Sequence, residues 1–383
     1  MDRSQRILPV YTGDVSGACS ALFELGGMVV IHDPSGCNST YNTHDETRWY
    51  DHDSLIFISG LMERDAILGN DDKFVSDVVD AALELGPRFV ALCNSPIPYI
   101  TGTDMVALAR MVERRTSIPS FYVPTNGMHD YVMGAGHALA EVAKRFVRQA
   151  EERPGTANIL GVTPLDFAGA GRPGTWQGEP AAWQGERLTP SDLRRFVEEA
   201  GFGVVSCWAM DSTLDDLAQA AQAQVNLVVS SVGLPAAREL RERFGTPYVV
   251  GQPTGPFSAT LATALREAAQ TGACSWPCRD VRASSTDGTR CIVGEPVAAG
   301  SEAAARELAG EPALRVVCAV EADPELLGPG DVRADGEGQV EAALAQARLV
   351  VADPFYHPVC PPAAKLEPHP HLAFSGRGYL PNS

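Results

Sequence analysis

Nine short runs of consecutive apolar residues punctuate the chain, and they limit its fold more than any other feature. They are MVVI (28–31), RFVALC (88–93), ANILGV (157–162), GVVSCW (203–208), NLVVSS (226–231), TPYVVG (246–251), RCIVG (290–294), LRVVCAV (314–320) and ARLVVAD (347–353). A strand wet on one face alternates polar with apolar residues, whereas an unbroken run reads as a strand covered on both faces. Helical stretches lie between them: DKFVSDVVDAALELG (72–86), GHALAEVAKRFVRQAEE (136–152), TPSDLRRFVEEAG (189–201), LPAARELRERFG (234–245) and SEAAARELAG (301–310). Thr189 followed by Pro190 is a helix-start signal, a capping hydroxyl before a ring already fixed at helical φ. Strands alternating with helices imply an α/β fold of mainly parallel sheets flanked by helices.

Two polar, turn-rich stretches divide the alternation, EERPGT (151–156) and SWPCRDVRASSTDG (275–288). They predict three Rossmann-like units over 1–154, 155–275 and 276–383, within the ~100–150 residues usual for one core. The loop AGAGRPGTWQGEPAAWQGE (168–186) spells GxGxxG at Gly169, Gly171 and Gly174. That fingerprint binds dinucleotides only where the last glycine opens a helix, and here Pro173 and further loop follow, so it reads as a surface loop.

Charge and composition remove several function classes. The formal net charge is −18, with 48 acids against 30 bases and no Lys/Arg-rich run, which argues against a nucleic-acid face. Lys73, Lys144 and Lys365 are the lysines, and none completes a GxxxxGK phosphate loop, so the chain is not a P-loop hydrolase. No GxSxG elbow marks a serine hydrolase. No stretch approaches the ~18–20 apolar residues of a membrane helix. The N-terminus carries no apolar signal core, which makes the cytoplasm the expected compartment.

The nine cysteines are not expected to form a disulfide framework in a chain of this kind. Cys19 lies in GDVSGACSALFELGG, Cys37 in HDPSGC just after the run ending at Ile31, and Cys93 at the end of RFVALC. In parallel α/β units the loops after the strands converge on one sheet edge, so Cys37 and Cys93 are expected to share that edge with Cys19 in reach. Thiolates gathered there suit zinc or an iron–sulfur cluster; buried packing is the alternative for each taken alone.

HDPSGC (32–37), the cysteine-bearing segment before it and LCNSPIPYITGTD (92–104) resemble the cluster-ligating segments of nitrogenase component 1 proteins. FISGLMERDAILGNDDKF (57–74) and QVNLVVSSVGLPAARELRERFGTPYV (224–249) resemble further segments of that family. In size, and in CIVGEPVAAGSEAAARELAG (291–310), the chain looks most like the compact tetrapyrrole-reducing members such as the nickel-sirohydrochlorin a,c-diamide reductive cyclase. The resemblance implies three Rossmann-like units and an oxidoreductase that is not expected to fix nitrogen. Cys19, Cys37 and Cys93 would hold a 4Fe-4S cluster shared at a dimer interface, or a larger 8Fe-7S cluster. Asp14 or a partner's cysteine is the candidate fourth ligand. A separate iron protein would hydrolyse ATP and deliver electrons, the partner subunit would be identical or related, and the substrate would be a small molecule, a tetrapyrrole among the candidates. Asn226-Leu227-Val228 leads to Val229-Ser230-Ser231, where nitrogenase catalytic subunits carry a cofactor-binding cysteine, so no nitrogenase-type active-site cofactor is expected.

Other residues are candidates on chemistry alone. YNTHDETRWYDHD (41–53) offers His44, Asp45, Glu46, Arg48 and His52 for a pocket, proton supply or docking, and equally resembles a solvated loop. Cys274 and Cys278 form CxxxC rather than a redox CxxC, and Cys207, Cys291 and Cys318 sit inside apolar runs as core. Cys360, beside His357, is a modest pocket candidate, and EPHPHLAFSGRGYL with His369, His371 and Arg377 reads as a tail. The remaining alternatives are a cluster or tetrapyrrole carrier without turnover, and a zinc-stabilised or metal-free α/β binding protein.

Overall fold

The computed structural model describes residues 5–34, 46, 48–49, 52–167, 188–283 and 287–375. In chain order the first unit contains α1 (Asp14–Leu22), β1 (Met28–His32), β2 (Leu55–Ile58), α2 (Glu63–Leu68), α3 (Asp71–Leu85), β3 (Val90–Asn94), α4 (Pro96–Thr101), α5 (Met105–Thr116), β4 (Ser120–Val123) and α6 (Tyr131–Phe146). The second has β5 (Arg153–Leu160), α7 (Pro190–Glu199), β6 (Gly203–Cys207), α8 (Leu214–Ala218), β7 (Ala223–Val228), α9 (Leu234–Phe244), β8 (Tyr248–Val250) and α10 (Phe257–Thr271). After α11 (Pro277–Val281), the third has β9 (Arg290–Gly294), α12 (Pro296–Leu308), β10 (Arg315–Cys318), β11 (Val332–Arg333), α13 (Glu337–Leu344), β12 (Leu349–Ala352) and β13 (Lys365–Pro368).

Three sheets result, ordered β2-β1-β3-β4, β6-β5-β7-β8 and β11-β10-β9-β12-β13, with every ladder parallel. Each unit is thus Rossmann-like, a parallel sheet flanked by helices. All nine unbroken apolar runs contain a strand. β5 begins at Arg153, inside the stretch read as a linker, with an irregular register between Arg153 and Ala157. Thr189 caps α7 as its sequence implies: its hydroxyl accepts from Asp192 N–H while the Asp192 side chain accepts from Thr189 N–H.

The first two units share an apolar cluster. Ala18, Leu22, Tyr131 and Leu139 of the first unit join Trp208, Leu234 and Leu240 of the second in a single apolar cluster. An N-terminal strap ties the first unit to the third: Tyr11 pairs with Phe374, and Glu337 accepts the N–H groups of Arg6, Ile7 and Leu8. Among the described residues no helix is long and apolar enough to cross a membrane.

Candidate functional site

The site is built on a close helix crossing. Every residue of α1 is buried, and its run of small residues lets its backbone press against α6. A Cβ on Gly17 would lie 2.3 Å from the Tyr131 carbonyl, and one on Gly134 1.8 Å from the Asp14 carbonyl. This crossing carries Cys19 into the apolar cluster that also holds Cys93 and Ile31. Cys93 sits near the carboxyl end of β3, paired with Ile31 of β1, and Asn94 pairs with His32. The chain therefore leaves β1 toward Cys37 beside the strand end that bears Cys93. Cys37 itself lies outside the described residues.

Cys19 and Cys93 are both fully buried. Burial, then the Asp14 carboxylate, pushes the Cys93 thiol up to about 12, partly offset by the Thr125 hydroxyl. Burial, then Cys93 and Glu46, pushes Cys19 well above its ordinary value. Each thiol thus resists ionising beside the other until a cation neutralises both, which is how a metal reverses local pKa logic. Directly after Cys93, Asn94 Oδ1 and Ser95 Oγ are buried without hydrogen-bond partners, as is Thr12 Oγ1 before α1. Two buried thiols with the unsatisfied Ser95 hydroxyl two residues after Cys93 fit a thiolate-bound cluster, whose sulfurs take such a donor. Among the described residues alone, no group of three or more His, Cys, Asp or Glu side chains makes a metal site.

Asp14, the fourth-ligand candidate, is buried with both oxygens engaged. Oδ1 accepts from Val15 N–H (2.8 Å) and Gly127 N–H (2.9 Å), and Oδ2 from Asn126 N–H (2.8 Å). Burial raises its pKa and these amides pull it partly back. The carboxylate here ties the 126–127 turn to the start of α1.

The acidic and basic stretch after Cys37 departs from the solvated loop it resembles. Glu46 and Arg48 are buried, and each satisfies the other: Arg48 Nε donates to Glu46 Oε1 (2.8 Å) and Nη2 to Oε2 (3.0 Å). Ser20, next to Cys19, donates its hydroxyl to Glu46 Oε2 (2.7 Å). His52 is exposed, and His44 and Asp45 lie outside the described residues. Cys360 is half-buried in the third unit, its thiol donating to the Tyr356 carbonyl (3.2 Å). Cys207, Cys291 and Cys318 are buried core residues in β6, β9 and β10, and Cys278 is buried in α11.

His32 carries no sign of a role in the linear pattern beyond its place at the end of an apolar run. It closes β1 and lines a small solvent-open cleft with Ser59, Asp65, Asn70, Lys73, Phe74 and Thr101. Burial lowers its pKa to about 4, against the pull of Asp33. Its Nδ1 lies 2.8 Å from Ser59 Oγ and its ring 4.2 Å from that of Phe74. On the same edge, α2 packs against α4, and Met62, Ile67, Leu68, Ile97, Tyr99 and Ile100 stand exposed.

A second polar cluster joins all three units, and the tail reading of His371 fails there. His371 is buried, its Nε2 2.9 Å from the Tyr131 hydroxyl, which donates to Asp166 Oδ1 (2.6 Å). Nearby, Ser231 of the Val229-Ser230-Ser231 stretch donates both N–H and hydroxyl to Glu295 Oε1, tying the second unit to the third. Arg377 and the 168–186 loop lie outside the described residues.

The nitrogenase component 1 type oxidoreductase family model matches residues 14–272. The nitrogenase iron-molybdenum cofactor biosynthesis protein NifE of Klebsiella pneumoniae is 25% identical over 227 residues, covering 58% of this chain and 48% of that protein. The nitrogenase molybdenum-iron protein alpha chain of Azospirillum brasilense is 25% identical over 251 residues, covering 63% and 48%. A light-independent protochlorophyllide reductase component of Nostoc punctiforme is 23% identical over 241 residues, covering 59% and 43%. The chain thus spans about half the length of these relatives. A solved structure of nitrogenase Cp1 shares the fold, with a TM-score of 0.55 at 16% identity, covering 90% of this chain and 72% of that one. With two thirds of its length inside the family model, and the three-sheet architecture of a solved nitrogenase, the chain belongs to the nitrogenase component 1 type oxidoreductases.

Proposed function

We propose that the chain is the cluster-bearing component of a nitrogenase-like reductase, with Cys19, Cys37 and Cys93 holding an iron–sulfur cluster. The observation that carries this is the convergence of two fully buried thiols, Cys19 and Cys93, beside the strand end that leads to Cys37. A bound cluster would supply one-electron transfer. The chain's own residues supply the rest: α1 and β3 fix two thiols, Ser95 holds a hydroxyl free to donate, and burial excludes water. Electrons would arrive from an ATP-hydrolysing iron protein, in line with membership of the nitrogenase component 1 family. The exposed apolar residues of α2 and α4 lie on the same edge and fit a subunit interface, which would let a partner's cysteine complete the ligand set where Asp14 is engaged by amides. A nitrogenase-type active-site cofactor is not part of this proposal, because the Asn226-Leu227-Val228 strand leads to Val229-Ser230-Ser231 with no thiol. The substrate class to try first is a tetrapyrrole, in line with the protochlorophyllide reductase relative, and the compartment is the cytoplasm.

The match to a cofactor biosynthesis protein favours a second reading, a carrier that holds a cluster or tetrapyrrole without turnover. Anaerobic reconstitution separates the two. Cys19→Ala and Cys93→Ala are expected to lose iron from a folded chain, and full iron in both variants would overturn the site. Multiple-turnover product formation with an iron protein marks a reductase; stoichiometric retention without product marks a carrier.

A further inference from the structure

Arg48 makes more of its guanidinium than a loop anchor requires. Besides its two bonds to Glu46, Nη2 donates to the Ser20 carbonyl (2.7 Å), while Nη1 donates to Glu24 Oε1 (2.9 Å) and to the Ala209 carbonyl (3.1 Å). Its plane lies 4.6 Å from the Phe23 ring centroid. Glu24 in turn accepts from Asp211 N–H through Oε2 (2.9 Å). One cation thus gathers the last turn of α1, the stretch after Cys37 and the second unit.

Two features show that this gathering is held against cost. Ala209 and Asp211, the two second-unit residues it grips, both have φ in the left-handed region, at 86° and 64°. Neither is glycine, and such a backbone persists only where its surroundings over-determine it. The Glu46 side chain is also fully buried while keeping its charge. Burial pushes its carboxyl up, but the Arg48 charge and hydrogen bonds, with the Ser20 hydroxyl, more than reverse this. Counting Glu24, Glu46 and Arg48 alone, the three carry one net negative charge, and Ser20, the residue after Cys19, bonds directly to Glu46 and Arg48.

We propose that Glu24, Glu46 and Arg48 are positioning residues that set the reduction potential of the cluster at Cys19, by placing a fixed net negative charge beside its ligand. The inference rests on the cluster reading above. Reduction adds an electron, so a buried negative charge nearby disfavours the reduced form and lowers the potential, and low dielectric magnifies the effect. Asp14 adds a further carboxylate on the Cys93 side.

The test is a redox titration of the anaerobically reconstituted full chain, followed by electron paramagnetic resonance. Glu46→Gln is expected to raise the potential. Glu24→Gln is expected to raise it less, because its side chain is 18% exposed against none for Glu46. The double variant Glu46→Gln with Arg48→Gln restores the net charge and is expected to return toward wild type. A packing defect would instead drive the double variant at least as far as the single one. Unchanged potentials in Glu46→Gln and Glu24→Gln, or a double variant displaced further than Glu46→Gln, would overturn the inference. If Glu46→Gln does not fold by circular dichroism, Glu24→Gln decides alone, and no shift there overturns it. A wild-type chain that takes up no iron sinks the reductase reading as well, whereas a loaded wild type with unmoved variants sinks only this inference.

Discussion

Single residues show how far charge in a sequence can mislead about burial. Glu46 and Arg48 look solvated when read along YNTHDETRWYDHD, because nothing in a linear pattern says that each will bury the other. The same holds for Glu337, which begins α13 yet accepts three N–H groups from the N-terminal strap. Those bonds, the Leu8 N–H foremost, bring its carboxyl from an ordinary 4.5 to about 2. A depressed acid stabilises the fold above its unfolded pKa and loses that contribution as pH falls, so the strap is expected to weaken between about pH 4.5 and 2. Denaturant midpoints across that range should fall more steeply for the wild type than for Glu337→Gln; parallel curves would rule the linkage out. Asp130 behaves in the opposite sense. Burial raises it to about 7 from 3.8, so its contribution is complete below pH 3.8 and is lost as pH rises toward 7. Asp130→Asn keeps an oxygen for the Val132 N–H and should flatten the stability profile over that interval, which thermal unfolding at several pH values would measure.

At the scale of elements, visibility follows burial pattern. Strands such as β1 and β9 are legible because sheets covered on both faces need unbroken apolar runs. The strands that the linear pattern hides, β2, β4, β11 and β13, are all at sheet edges, where LIFI, SFYV, VR and KLEP are short and, except for SFYV, largely uncovered. α1 is hidden for the reverse reason: buried on every side and built of small residues, it has no apolar stripe with a 3.6-residue period. The candidate thiols are legible as types and order, but the burial of Cys19 in the cluster that holds Cys93 depends on Gly17 and Gly134 letting two backbones touch. Gly134→Ala is therefore expected to cost about 2–3 kcal/mol, as overpacking of a tight core does, and to lower cluster uptake with it. Urea unfolding of the metal-free chain beside iron content of the reconstituted one checks both; an unchanged pair of values would show that the crossing is not what sets the thiols.

For the whole molecule, one apolar cluster runs from the first unit into the second and a polar junction of Tyr131, Asp166 and His371 joins all three, while α2 and α4 sit after β2 and β3 of the first sheet. Exposed Ile67, Leu68 and Ile100 on these helices are the interface proposed for a partner subunit. Ile67→Glu with Ile100→Glu is expected to reduce the fraction of dimer in sedimentation velocity and to reduce iron per chain in step. Loss of neither would place the partner elsewhere. The central claim, a cluster held by Cys19, Cys37 and Cys93, is tested most directly by iron and acid-labile sulfide per chain on anaerobically purified protein, with paramagnetic resonance after dithionite reduction. The account expects about two irons per chain for a four-iron cluster shared by a dimer, or about four for an eight-iron cluster, with matching sulfide and a signal lost in the triple alanine variant. Zinc alone, or no metal in a folded chain kept from oxygen, would contradict it.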